Sequence, residues 1–135
     1  MSLDHLPEVR KFVNRLHQKV KSDAKTRRHL EFTVTVDELV ELYLKQAGQC
    51  ALTGWPLEWH SGGNYRGGKN PRVLTMDRID SQSGYVIGNI QLTCLQANIL
   101  KAAMSQQDFV DFCRAVAWRD ALKPCYNRDS TIFGE

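Results

Sequence analysis

Apolar residues recur at Leu6, Val9, Val13, Leu16 and Val20 with three- and four-residue gaps, which predicts an amphipathic helix near the N-terminus. Its opposite face carries Arg10, Arg15, Lys19 and Lys21. Those charges are either solvated or turned toward phosphate, and the spacing leaves both readings open. "EFTVTV" favours extended backbone and leads into a second helix. Thr35 and Glu38 form a capping box there, Leu39, Leu42 and Tyr43 form the apolar stripe, and Gly48 is a natural stop. "RVLTMDRID" and "NIQLTC" read as strands joined by the turn "DSQSGY", with Gly84 available for positive φ. A helix from about Leu95 to Ala103 follows. Ser105 caps another, with Phe109, Phe112, Cys113 and Val116 expected to face inward. "HSGGNYRGGKNPR" is too irregular for a Walker phosphate loop, so it is either a nucleic-acid-facing loop or a connector. The tail after Pro124 has no clear periodicity. No repeat or linker divides the pattern, so a single domain over 1–135 is expected.

Composition narrows the class. With 135 residues, 42% hydrophobic and 24% charged, the chain has the make-up of an ordinary globular protein and can bury roughly two-thirds of its unfolded surface. The net charge of +3 permits nucleic-acid binding without requiring it. No apolar run reaches the roughly 18 residues of a membrane span, and the N-terminus lacks a signal peptide's apolar core. A cytoplasmic location, with no membrane partner, is therefore expected. Cys50, Cys94, Cys113 and Cys125 then read as reduced thiols, an extracellular disulfide pair being the alternative.

The chemistry concentrates in "TMDRIDSQSGYVIGNIQLTCLQANILK", residues 75–101. A hairpin packed on a helix brings a strand end beside a helix face and can gather Asp77 and Asn98 at one point. An ionised carboxylate and an amide oxygen are hard donors that suit Mg²⁺ or Mn²⁺ better than Zn²⁺, and magnesium needs only one or two protein ligands. The opposing reading is that Asp77 pairs with Arg78 or a lysine while Asn98 caps a backbone group.

"CALTGWPL" at 50–57 and "MDRIDSQSGYVIGNIQLTCLQANILK" at 76–101 resemble the HNH nuclease superfamily. They resemble especially its phage-encoded branch, where an Asp-Arg-Ile-Asp strand, a Gly-Tyr turn and an Asn-Ile/Val-Gln-Leu strand recur. The resemblance covers roughly residues 31–115. It implies an α+β fold with a ββα-metal hairpin-helix core. Residues 1–30 would add a basic N-terminal helix, and 116–135 the end of a C-terminal helix and a tail. By position it makes Asp77 the acidic metal ligand, Asn89 the brace between the strands, Asn98 the second ligand and Lys101 a phosphate contact.

The chain departs from the family at two places. The general-base position holds Arg78, which stays protonated and can only grip phosphate or stabilise charge. Asp80 is the obvious substitute, at the offset used by relatives with an Asp-Arg-Gly-His motif. Strand alternation sets it away from Asp77, however, and a neighbouring arginine makes it a weaker base. His60 is the remaining protein candidate. The family's two Cys-x-x-Cys knuckles are reduced to Cys50 and Cys94, too few thiolates for a structural zinc. The resemblance thus implies a Mg²⁺- or Mn²⁺-dependent DNA endonuclease of phage or prophage origin, working in a bacterial host, with no structural zinc. Arg78, Lys101, Arg66 and Lys69 would meet DNA. The rival is an inactive HNH-fold protein that binds DNA or assists virion assembly. Because Asp77 ends a strand, Asp77→Ala is expected to leave the fold intact.

Overall fold

In the computed structural model, which describes residues 3–60 and 68–123, the N-terminal stripe forms α1 (Leu6–Asp23). Pro7 lies in its first turn, where a missing N–H breaks no helical bond. Val9 and Val13 are buried, and Leu6, Phe12, Leu16 and Val20 pack on the same core. At Ala24 the helix widens into one π turn, Ala24–Arg28, which His29 ends in the left-handed region at φ 53°. The Leu30 amide closes the turn on the Ala24 carbonyl at 3.0 Å.

The second helix, α2 (Val36–Lys45), starts on the capping box of Thr35 and Glu38. Leu39, Val40 and Tyr43 are buried and Leu42 partly so. Gly48, at φ 68°, ends the turn beyond it by donating to the Tyr43 carbonyl at 3.0 Å. Strands β1 (Leu74–Arg78) and β2 (Ile90–Cys94) pair antiparallel, Asp77 opposite Gln91 and Thr75 opposite Thr93. Helix α3 (Leu95–Lys101) follows β2 without a loop. It ends at Ala102, whose φ of 49° breaks the helical path, and so it is shorter than the expected Leu95–Ala103.

Both outer edges of this small sheet are covered. On β2, the Gln46 side-chain amide accepts from Leu92 N at 3.0 Å and donates to Leu92 O at 2.9 Å, like a fragment of a third strand. Ala51 N also donates to Leu92 O, and Cys94 N donates to Cys50 Sγ at 3.3 Å. On β1, Leu74 N bonds Glu58 O, while the carbonyls of Met76 and Arg78 accept from the Asn98 and Lys101 side chains.

Two expectations need correcting. Gly84 is not in the positive-φ region; Gly88 in the same loop is, at 90°. Gly84 is needed for space, because a Cβ there would sit 2.5 Å from the Glu31 carbonyl oxygen. The second correction concerns α4 (Gln106–Leu122): Phe109 is buried, but Phe112, Cys113 and Val116 are exposed. Its apolar residues are spread around the helix instead of forming a stripe. The chain divides into two compact units, Met1–Ser105 and Gln106–Glu135. None of the described helices is long and apolar enough to cross a membrane. Arg66, most of the glycine-rich loop and Cys125 in the tail lie outside the described residues.

Candidate active site

Strand alternation sends Asp77 and Thr75 to one face of β1, and α3 lies across that face. Asn98, one turn into α3, donates through Nδ2 to Thr75 Oγ1 at 3.1 Å and to Met76 O at 3.2 Å. Both contacts use Nδ2, so Oδ1 takes no part in them. One turn later Lys101 is fully buried. Its Nζ contacts the Asp77 carboxylate at 3.3 and 3.2 Å and the Arg78 carbonyl at 2.9 Å. Gln91, across the strand pair, donates to Asp77 Oδ2 at 2.8 Å. The reading in which Asp77 pairs with a lysine and Asn98 holds a backbone carbonyl is therefore realised in these contacts. Lys101, expected at a phosphate, faces inward and does not reach the surface.

The loop between the strands holds the remaining residues. Asn89 accepts from Asp80 N at 2.9 Å and donates to the carbonyls of Asp80 and Gly84, so one amide spans the loop. The Arg78 guanidinium donates to the carbonyls of Ser81 and Ser83 at 2.6 and 3.2 Å and lies 5.2 Å over the Tyr85 ring. Asp80 turns into the loop, where its oxygens accept from Gln82 N and Ser83 Oγ at 2.9 and 3.1 Å. It does not line the cavity beside Asp77. The carboxylate is tied to its own turn.

The cavity itself is about 450 Å³. Asp77, Arg78 and Asn98 line one side, with Thr75, Ser81 and Tyr85. The other side is α1 and its π turn, through Lys19, Asp23 and Arg28. None of those three was singled out from the sequence as part of this site. Lys19 had been noted only as part of a basic face, and no local motif ties α1 to a hairpin more than fifty residues downstream. The π turn brings Arg28 back over the loop, where its Nη1 donates to the Tyr85 hydroxyl at 3.0 Å. Tyr85 is fixed from below, since Thr33 N and Val34 N donate to its carbonyl and its own N donates to Glu31 O.

A second cavity of about 790 Å³ contains Lys69 and His60. His60 lies 3.6 Å from Glu58 and shares no cavity with Asp77. No histidine lines the cavity around Asp77.

No protein-family model and no curated protein matches the sequence. Among solved structures, the rare-cutting HNH restriction endonuclease PacI is similar, with a TM-score of 0.57 and 22% identity over 81% of this chain and 80% of that one. The fold is similar to that of an HNH nuclease. That likeness concerns the architecture, mixed α+β with a two-stranded antiparallel sheet and flanking helices.

Within this HNH-like fold the donor set can be tested against a metal. Asn98 and Asp77 both line the cavity, and Asp77 Oδ1 accepts a long contact of 3.3 Å from Lys101. Their side-chain oxygens are hard donors of the kind that hold a hydrated Mg²⁺ or Mn²⁺. Among the described residues no three His, Cys, Asp or Glu side chains gather as for a closed zinc site. The donors fit a hydrated divalent ion, and the Lys101 ammonium opposes it by competing for the same carboxylate.

Cys50 and Cys94 meet at the outer edge of β2. Burial pushes the Cys50 thiol up, but the Thr53 hydroxyl and the backbone N–H groups of Cys94, Leu52 and Thr53 more than offset it, so it lies below its usual range. Burial, reinforced by the neighbouring Cys50, raises Cys94.

Proposed function

We propose that the protein is a divalent-metal-dependent HNH-type DNA endonuclease, phage or prophage derived, with its reaction centre in the cavity between β1, α3 and α1. The observation that carries this reading is the convergence of Asp77, Arg78 and Asn98 on one cavity within a fold similar to that of an HNH nuclease. Asp77 and Asn98 would hold Mg²⁺ or Mn²⁺, which supplies Lewis-acid polarisation of the phosphate and a more acidic bound water.

The chain's own residues have separable tasks. Gln91 and Lys101 fix the Asp77 carboxylate from two sides. Thr75 fixes the Asn98 amide. Arg78, anchored by two loop carbonyls, offers its remaining N–H groups to a phosphate and steadies the negative charge that grows in the transition state. Asn89 holds the loop that carries Arg78. Arg78 cannot remove a proton from water, and the cavity contains no histidine to do so. Proton removal then falls to solvent or to the substrate phosphate, which forgoes about 10²–10⁴-fold of general-base assistance.

One observation favours a second reading, a DNA-binding or virion-assembly protein that no longer cleaves: the Asp77 carboxylate is already satisfied by Lys101 and Gln91. Incubating supercoiled plasmid with the protein in Mg²⁺, Mn²⁺ or EDTA separates the two. Nicking or linearisation in metal, abolished by EDTA and by Asp77→Asn, is the expected result. Intact plasmid in every metal, with DNA binding retained, selects the second reading.

A further inference from the structure

The two cavities adjoin as the two lobes of a groove. They share Leu16, Lys19 and Thr75, so the space beside Asp77 continues along α1 past Lys19 to Arg15 and Lys69. α1 forms its wall throughout, and the cations along it come from three separate segments of the chain. Arg15 and Lys19 are one turn apart, about 6 Å along the axis at 1.5 Å per residue. A nucleic-acid strand presents a phosphate about every 3.4 Å of helix axis, so that gap spans about two steps.

Arg28 is held where the groove reaches Asp77. The π turn and its left-handed stop at His29 fix the backbone, and the Tyr85 hydroxyl takes one of the five guanidinium N–H donors. Arg78 approaches the same tyrosine through its ring face. Two guanidiniums therefore flank Tyr85, each with donors left over. Two carboxylates also line the groove, and both already face a cation: Asp77 faces Lys101, and Asp23 lies 4.0 Å from Arg27. The groove keeps a positive balance.

We propose that α1 and its π turn form the second jaw of a DNA-backbone groove, in which Arg15, Lys19 and Arg28 grip the phosphates leading to the Asp77 site. Tyr85 is a positioning residue for Arg28. The proposal rests on the nuclease reading for its substrate, but binding tests it independently of cleavage. It also resolves the basic face of α1 into two groups. Arg15 and Lys19 enter the groove, whereas Arg10 pairs with Asp37 and Lys21 lies outside it.

The test is the anisotropy of a fluorescein-labelled duplex with the full chain in EDTA, titrated with salt. Arg15→Ala, Lys19→Ala and Arg28→Ala are each expected to lower the slope of log affinity against log salt by about one phosphate contact. Lys21→Ala and Lys25→Ala remove the same charge outside the groove and are expected to leave the slope unchanged. Arg28→Lys is expected to keep the slope while weakening binding, since the charge remains and the fork is lost. Tyr85→Phe is expected to weaken wild-type binding but to add nothing to Arg28→Ala. Equal effects from groove and outside lysines would overturn the proposal, as would unchanged binding in the three groove variants. A groove pattern in a protein that never cuts plasmid would leave this proposal standing and remove the nuclease reading. Cleavage with no groove pattern would do the reverse.

Discussion

Lys101 places a positive charge where no water reaches it, and the two Asp77 oxygens with the Arg78 carbonyl are what make that tolerable. Removing one member of a buried ion pair leaves the other stranded, at a cost of about 3–5 kcal/mol. Lys101→Met is therefore expected to lower the urea midpoint substantially, and adding Asp77→Asn is expected to recover much of the loss. The same physics revises the expectation that Asp77→Ala is silent for folding: it strands Lys101 and calls for circular dichroism beside any activity assay. Lys101→Met also frees the carboxylate from a competing cation, so Mn²⁺ binding followed by electron paramagnetic resonance is expected to tighten. At Gly84 the constraint is steric. Gly84→Ala drives a Cβ into the Glu31 carbonyl, and a loss of about 1–3 kcal/mol in denaturant unfolding is expected.

Among the elements, Gln46 ties α2 to the outer edge of β2 through both ends of one amide. Gln46→Ala leaves Leu92 N–H without that partner in a region water barely reaches, so a destabilisation of about 1–3 kcal/mol is expected from thermal melts. Gln46→Glu keeps the acceptor and loses the donor, and should fall between. Glutamine at this position has no periodic signature, which is why it went unnoticed in the sequence, while the capping box and stripe of the same helix were plain. The general rule is visible here: caps, stripes and strand alternation are local and readable. The π turn, the edge-capping amide and the meeting of α1 with the Asp77 hairpin depend on contacts between distant segments. Asp77, Arg78 and Asn98 were legible because one motif carries all three. Lys101 was legible as a cation near Asp77 but not in its direction, since a helical position gives no sign of whether a charged tip points to solvent or to a buried carboxylate. The α4 stripe failed for the opposite reason: apolar residues at helical spacing were present, but so were others on every remaining face.

For the molecule as a whole, the main core lies within Met1–Ser105, and none of its members comes from α4. A chain ending at Ser105 is therefore expected to fold with a cooperative thermal transition; a non-cooperative melt would show that the second unit is required. A two-stranded ribbon with bare edges is a template for strands from neighbouring molecules. Here the 46–51 turn occupies β2, and the side chains of Asn98 and Lys101 occupy carbonyls of β1. Fibre growth by strand addition must first peel one of those coverings away. Fibril onset on storage should thus follow the opening of short local segments rather than loss of the whole fold. The Asn98 and Lys101 side chains that cover β1 would then also guard the protein against its own polymerisation.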